Sequence, residues 1–130
     1  MTPRALHVLS FFLLLMPGLR AATLDVETFL SHPPNIGTAE LAGYVVEKYA
    51  CPPCPPGAMC KPCMGDSVPI ADTPTAPPAK GLRILCPATS LPEFQPGRFY
   101  WIEVEISAIR SAAPFVGEVH LRTARPRSPP

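Results

Sequence analysis

Four of the five cysteines fall in one short segment, Cys51-Pro-Pro-Cys54-Pro-Pro-Gly-Ala-Met-Cys60-Lys-Pro-Cys63. The pattern C-x2-C-x5-C-x2-C is symmetric about Gly57, so a loop that folds back on itself would pair Cys51 with Cys63 and Cys54 with Cys60. Such disulfides persist in oxidising compartments, and they would brace a loop too proline-rich to build its own core. Two nested disulfides are therefore the first interpretation of this segment.

A metal site is the second interpretation of the same segment. Two C-x2-C pairs can place four thiolates tetrahedrally around Zn²⁺, and Cu(I) also prefers sulfur ligands. Metal-bound thiolates are normally supported by backbone N–H groups, and Pro53, Pro55 and Pro62 lack this donor. The alternative set of ligands is Cys51, Cys54, Cys60 and Cys63.

Thiol–disulfide exchange is the third interpretation. The C-P-P-C sequence resembles the dithiol of thiol oxidoreductases, in which a helix N-terminus lowers the pKa of the nucleophilic cysteine. Here Pro55 and Pro56 follow Cys54 directly, and no helical pattern comes next. We rank this chemistry below the other two.

The fifth cysteine, Cys86, stands apart from the loop. It shares the apolar face of a predicted strand with Leu82 and Ile84, which favours a buried thiol over an intermolecular disulfide. Elsewhere the sequence contains no Ser/His/Asp pattern, no paired-carboxylate motif and no glycine-rich phosphate loop. We therefore expect no enzymatic activity and no resident cofactor.

The first residues of the chain predict export. Arg4 and His7 precede an apolar run from Val8 to Met16, and small residues follow at Ala21 and Ala22. This is the order of a signal peptide, and the run is much shorter than the roughly 20 residues of a membrane-spanning helix. We predict a signal peptide over residues 1–21, no transmembrane segment after its cleavage, and a periplasmic or secreted location.

The charge of the remaining chain limits its partners. Removal of Arg4 and Arg20 from the 11 basic residues leaves nine, against ten acidic residues. A nearly neutral chain produces no strong field that would attract nucleic acid or an anionic membrane. An unknown protein or another component of the cell envelope is the expected partner.

The elements that must position the cysteines are mainly strands. The 20 prolines of the chain interrupt both helices and central strands, so regular elements must be short. Leu24 to Ser31 predicts a short helix that ends before Pro33 and Pro34. Apolar alternation predicts five strands, at 38–49, 67–71, 81–86, 98–106 and 117–123. Their shared inner face predicts a core that includes Leu41, Val45, Ile84, Ile102, Val104 and Val119.

The order of these elements resembles small exported bacterial OB-fold proteins. The likeness rests on A-G-Y-V-V in a long glycine-bent strand and on P-G-R-F-Y-W-I-E-V-E-I, a turn that leads into an alternating strand. It implies a mainly β fold, a small five-stranded OB-like barrel with a short N-terminal helix. It also implies that the cysteine loop, between the first two strands, helps to line a ligand-binding face. It implies little about activity, because OB barrels carry many functions.

We therefore divide the chain into the signal peptide, an OB-like domain over 22–124, and a disordered tail over 125–130. The domain contains the cysteine loop, 51–63, and a proline-rich loop, 73–80. Phe99 and Trp101 share the outer face of their strand, where they either form a patch for a partner or are covered by the helix or the cysteine loop. We expect a non-enzymatic extracytoplasmic domain whose disulfide-stapled loop supports binding or structure.

Overall fold

The computed structural model describes residues 22–63, 65–110 and 116–130. The predicted signal peptide lies outside these ranges. Within them, no helix is both long and apolar enough to cross a bilayer. The described elements are one helix, α1 (Val26–Ser31), and five strands: β1 (Gly37–Val45), β2 (Ser67–Ala71), β3 (Leu82–Leu85), β4 (Phe99–Arg110) and β5 (Val116–Pro126).

The five strands form a closed barrel in the order β1-β2-β3-β5-β4. Every pairing is antiparallel except that of β3 with β5, where Leu85 lies opposite His120. The prediction of a mainly β protein with a small OB-like barrel and one short helix is therefore confirmed.

Strand β1 closes the barrel because it pairs with two neighbours. It lies against β4 from Gly37 to Tyr44, and its last residues, Tyr44 and Val45, also pair with β2. At Gly43 a Cβ atom would lie 2.6 Å from Cγ2 of the buried Ile70. Only glycine lets β1 approach β2 this closely, which explains the glycine in a strand that is otherwise well formed.

The barrel interior holds the predicted core. All six predicted core residues are almost completely buried, which confirms the register of the strands: Leu41, Val45, Ile84, Ile102, Val104 and Val119. Two short elements add side chains to the same cluster, Val26 and Phe29 from α1 and Leu91 and Phe94 from a 3₁₀ turn before β4. Burial of apolar surface therefore accounts for the stability of this part of the chain.

Two carboxylates hold the start of α1. Asp25 is the N-cap, and its Oδ1 accepts a hydrogen bond of 2.6 Å from the backbone N–H of Thr28. The side chain and the backbone N–H of Thr28 hold the pKa of Asp25 below its ordinary value. Asp72, at the end of β2, accepts from the N–H groups of Val26 and Glu27, each at 2.9 Å. The helix is thereby tied to the barrel as well as packed on it.

Three strand ends differ from the sequence prediction by more than one residue. Strand β4 continues to Arg110 rather than ending at residue 106, and it still pairs with β5 there. Strand β1 ends at Val45 rather than Tyr49, because the Val46 N–H turns to the Pro69 carbonyl and the chain leaves β4. Strand β5 continues past residue 124: Arg125 pairs with Trp101, and Pro126 with Tyr100. The alternation of apolar residues stops before Arg125, so no local pattern predicts that the pairing of β5 continues.

Candidate functional site

The cysteine loop connects β1 to β2 and contains both disulfides. Cys51 is joined to Cys63 with their Cα atoms 5.8 Å apart, and Cys54 is joined to Cys60 with a Cα separation of 5.9 Å. These are the pairs of the nested arrangement, and the separations are usual for disulfides. The loop is therefore a stapled hairpin with two covalent rungs.

The base of the loop is fixed to the barrel by hydrogen bonds. Tyr49 and Ser67 exchange two backbone hydrogen bonds of 2.8 Å, which make an isolated antiparallel bridge just before β2. The N–H of Cys51 donates to Oδ1 of Asp66 at 2.7 Å, and the N–H of Cys86 donates to the Asp66 carbonyl at 3.0 Å. One residue, Asp66, thus links the outer disulfide to the end of β3.

The side of this base is closed by an arginine. Arg83 donates from Nε to Oγ of the buried Ser67 at 2.9 Å, and its guanidinium carbon lies 5.4 Å from the centre of the Tyr49 ring. The contact combines a charge-assisted hydrogen bond with a cation–π interaction. Both contacts immobilise the residues from which the loop departs.

The tip of the loop is exposed. The N–H of Ala58 donates to the Pro55 carbonyl at 3.1 Å, and Gly57 takes a φ of 81°, a conformation that favours glycine. Residues 52–63 are all exposed, and Met59 is as accessible as in an extended chain. The disulfides therefore fix a segment that buries almost nothing.

The two disulfides of the loop disfavour the metal-site interpretation, and the structure after Cys54 disfavours thiol–disulfide exchange. Metal ligation needs thiolates, and the four candidate sulfurs, Cys51, Cys54, Cys60 and Cys63, are joined in pairs here. No group of metal-ligating side chains occurs elsewhere in the described residues. Cys54 is followed by a turn rather than a helix, so it lacks the feature that activates a dithiol.

Cys86 is the free cysteine among the described residues, and it is buried. Burial raises the pKa of its thiol above the ordinary value, and the nearby charge of Asp66 raises it further. A thiol that resists ionisation is a poor nucleophile and a poor metal ligand at neutral pH. Its position in the barrel cluster agrees with the predicted structural role.

Trp101, on the outer face of β4, is covered by residues that the sequence analysis assigned to a disordered tail. Trp101 is only 9% exposed. Its ring is capped by the guanidinium groups of Arg125 at 4.4 Å and Arg127 at 5.8 Å. The guanidinium groups over Trp101 therefore come from the end of β5 and the residue after it. The arginines in an otherwise proline-rich segment were the available signal.

Comparison of the chain with family models, with curated proteins and with solved structures gave no match. The function must therefore be argued from the geometry of the chain itself.

Proposed function

We propose that this protein is a non-enzymatic extracytoplasmic binding domain, in which the stapled loop presents Pro55 to Met59 to a protein partner. The observation that carries the proposal is that the loop is held in place by covalent and hydrogen bonds although its side chains are not buried. The loop has two disulfides and a hydrogen-bonded base, yet its residues 52–63 are exposed.

Rigidity without burial has a physical use in recognition. A free loop loses conformational entropy when it binds, and a loop that is already fixed avoids most of that loss. The tip offers apolar and semi-rigid side chains, prolines and Met59, which adapt well to a protein surface. Lys61 is the single charged residue of the loop sequence 51–63, and one positive charge produces too weak a field to attract a polyanion, so the composition favours contact with a protein.

The extracytoplasmic part of the proposal rests on two observations of different kind. Disulfides are rare in the cytosol and persist in exported proteins. The order of charged, apolar and small residues over 1–21 is that of a signal peptide. Sequencing of the N-terminus after expression in a secreting bacterium tests this part, and we expect the mature chain to begin at Ala22 or Thr23.

Site-specific photo-crosslinking tests the binding function. A photoreactive amino acid placed at Met59 should give a discrete adduct with an envelope protein. The same group at the exposed Thr89, outside the loop, serves as the matched control. We expect the yield from position 59 to exceed that from position 89 by about tenfold, and to fall when Cys54 and Cys60 are both replaced by serine, because the tip is then no longer fixed.

Equal yields from the two positions, or a yield that does not depend on the inner disulfide, would argue against the binding function. Elemental analysis of the same preparation separates the metal alternative. One Zn²⁺ or Cu(I) ion per chain, together with four titratable loop thiols, would replace the binding interpretation with metal storage.

A further inference from the structure

The end of β5 carries two arginines that share one aromatic ring. Arg125 pairs with Trp101 across the strands, and its guanidinium carbon lies 4.4 Å from the centre of the Trp101 ring. The guanidinium carbon of Arg127 lies 5.8 Å from the same centre, and its N–H donates to the Phe99 carbonyl at 3.0 Å. Because alternate residues of a strand project on the same side of a sheet, both arginines lie on the outer face of the barrel.

These two guanidinium groups lack the oxygen partners that other arginines of the protein have. Among the arginines whose side chains the structure describes, the other three each lie beside an oxygen acceptor: Arg83 at Ser67, Arg98 at Gln95 and Arg122 at Glu103. Within the described residues, neither Arg125 nor Arg127 has a hydrogen-bond or ion-pair partner for its side chain. Two exposed positive charges are therefore held beside one ring with no carboxylate to neutralise them.

The contact with Trp101 fixes these donors before any ligand binds. A guanidinium group over an indole ring is attracted by the electrons of the ring, and its N–H groups remain available to an acceptor. Trp101 is itself almost completely buried, so it offers a fixed support for both arginines. An anion that binds here therefore does not have to immobilise two free arginine side chains.

Carboxylates further along the same face limit the size of the anion. Two residues before or after Trp101 and its neighbour on β1, Glu103 and Glu40 lie opposite each other. This row is about 7 Å from that of Trp101 along the strands. A compact anion contacts the two guanidinium groups directly and meets the carboxylates only at longer range, whereas an extended polyanion would lie over both rows and be repelled.

We propose that Arg125 and Arg127, held over Trp101, form a binding site for a compact, doubly charged oxyanion, a phosphate or sulfate group. The planar guanidinium group matches such an anion because it can donate two parallel hydrogen bonds to its oxygens. Two guanidinium groups also match its two negative charges. The site shares no residue with the cysteine loop, so it does not depend on the proposed function of that loop.

The test is an NMR titration of the full chain with inorganic phosphate, sulfate and glycerol phosphate at constant ionic strength, with chloride as the reference anion. Trp101 is the single tryptophan of the chain, so its indole N–H signal reports on the site directly. We expect phosphate or sulfate to shift this signal and the amide signal of Arg127 to saturation, and chloride to leave both in place. A response no larger than that to chloride overturns the proposal.

The three anions also identify the source of the ligand. Equal affinity for inorganic and glycerol phosphate supports a site for the free anion, and tighter binding of the ester supports a site for a phosphate group carried by a larger molecule. Binding of sulfate alone supports a site for a sulfate group. Because a phosphate ester loses its second charge below about pH 6, its affinity should fall there, whereas that of sulfate should not. A phosphate affinity that is unchanged below this pH overturns the match to a doubly charged anion.

Arg125→Gln and Arg127→Gln test the two arginines separately. Both residues are exposed, and glutamine retains the backbone pairing with β4, so the barrel should stay folded. Each variant should bind the anion at least about tenfold more weakly, since each loses hydrogen bonds to a charged group. The control Lys80→Gln removes the same charge from an exposed residue of the 3₁₀ turn before β3, and its affinity should stay within about twofold of the natural chain. An affinity that is retained in either arginine variant, or lost equally in Lys80→Gln, overturns the proposal.

Discussion

The barrel and the cysteine loop obtain their order by opposite means. In the barrel, residues such as Leu41 and Ile102 are completely buried, and each of the five strands pairs with two neighbours so that the sheet is closed. In the loop, residues 52–63 are exposed, and the order comes from two covalent links and a short hydrogen-bonded base. The junction between the two regions is the Tyr49–Ser67 bridge together with Asp66.

This difference shows how a small domain can carry a rigid exposed segment. A barrel of this size cannot extend its core into a proline-rich loop, because prolines remove the backbone donors that a ladder needs. Disulfides make the loop rigid without the burial of apolar side chains. The side chains at the loop tip are therefore not needed for packing and can contact a partner.

The largest effect is expected in the barrel. Val104→Asp places a carboxylate at a position that is 0% exposed, at a cost on the order of 5 kcal/mol, comparable to the stability of a small domain. We expect this variant to be unfolded by circular dichroism. The neighbouring Glu105 is exposed, and Glu105→Gln should change the free energy of unfolding by less than about 0.5 kcal/mol. Similar effects of the two changes would show that burial does not hold the barrel.

Much of the barrel could be predicted from the sequence because its strands alternate. The period of two in β4 placed Ile102 and Val104 inside and Glu103 and Glu105 outside, and only the inner pair is fully buried. The symmetric cysteine spacing likewise suggested the two pairings that the structure contains.

The parts that escaped prediction depend on contacts between distant residues. Asp72 caps a helix that lies 45 residues earlier in the chain, and no local pattern marks it for this role. Arg125 and Arg127 cover Trp101 across a strand pair, whereas their own segment suggests a disordered tail by composition. In both cases a polar side chain acts on a partner that only the closed barrel brings near.

A smaller effect is expected when the loop is released. Replacement of the four loop cysteines by serine should increase amide hydrogen exchange throughout residues 51–63 while the circular dichroism of the barrel is retained. The outer disulfide, with a sequence separation of 12, accounts for a chain-entropy contribution of about 3 kcal/mol, and the inner one, nested within it, adds a smaller amount. The reference is Cys86→Ala, which leaves both disulfides in place and should leave exchange in the loop unchanged.

Intact mass provides a direct check on the starting material for that experiment. Each disulfide removes two hydrogens, so the natural chain should weigh about 4 Da less than its reduced form. If the barrel unfolds when the four loop cysteines are replaced, then the order of the barrel depends on the disulfides and the two regions are not held independently.

The smallest effect is expected at the junction, where Asp66 serves both regions. Its Oδ1 accepts from the Cys51 N–H, and its charge contributes to the raised pKa of Cys86 after the larger effect of burial. Asp66→Ala should cost about 1 kcal/mol and increase amide exchange at the base of the loop. The strands should keep their register, because the backbone carbonyl of residue 66 still accepts from Cys86.

Asp66→Asn separates the hydrogen bond from the charge. The amide oxygen can still accept from the Cys51 N–H, so exchange at the base should resemble that of the natural chain, whereas the pKa of Cys86 should fall in both variants. A thiol whose pKa is raised by folding stabilises the native state fully below its unfolded pKa, and this stabilisation is lost as the pH rises through the folded value. Loss of stability on the alkaline side should therefore be complete at a lower pH in both variants than in the natural chain, as measured by urea unfolding between about pH 7 and pH 11. If Asp66→Asn loosens the loop as much as Asp66→Ala does, then the carboxylate charge, and not the accepted hydrogen bond, joins the loop to the barrel.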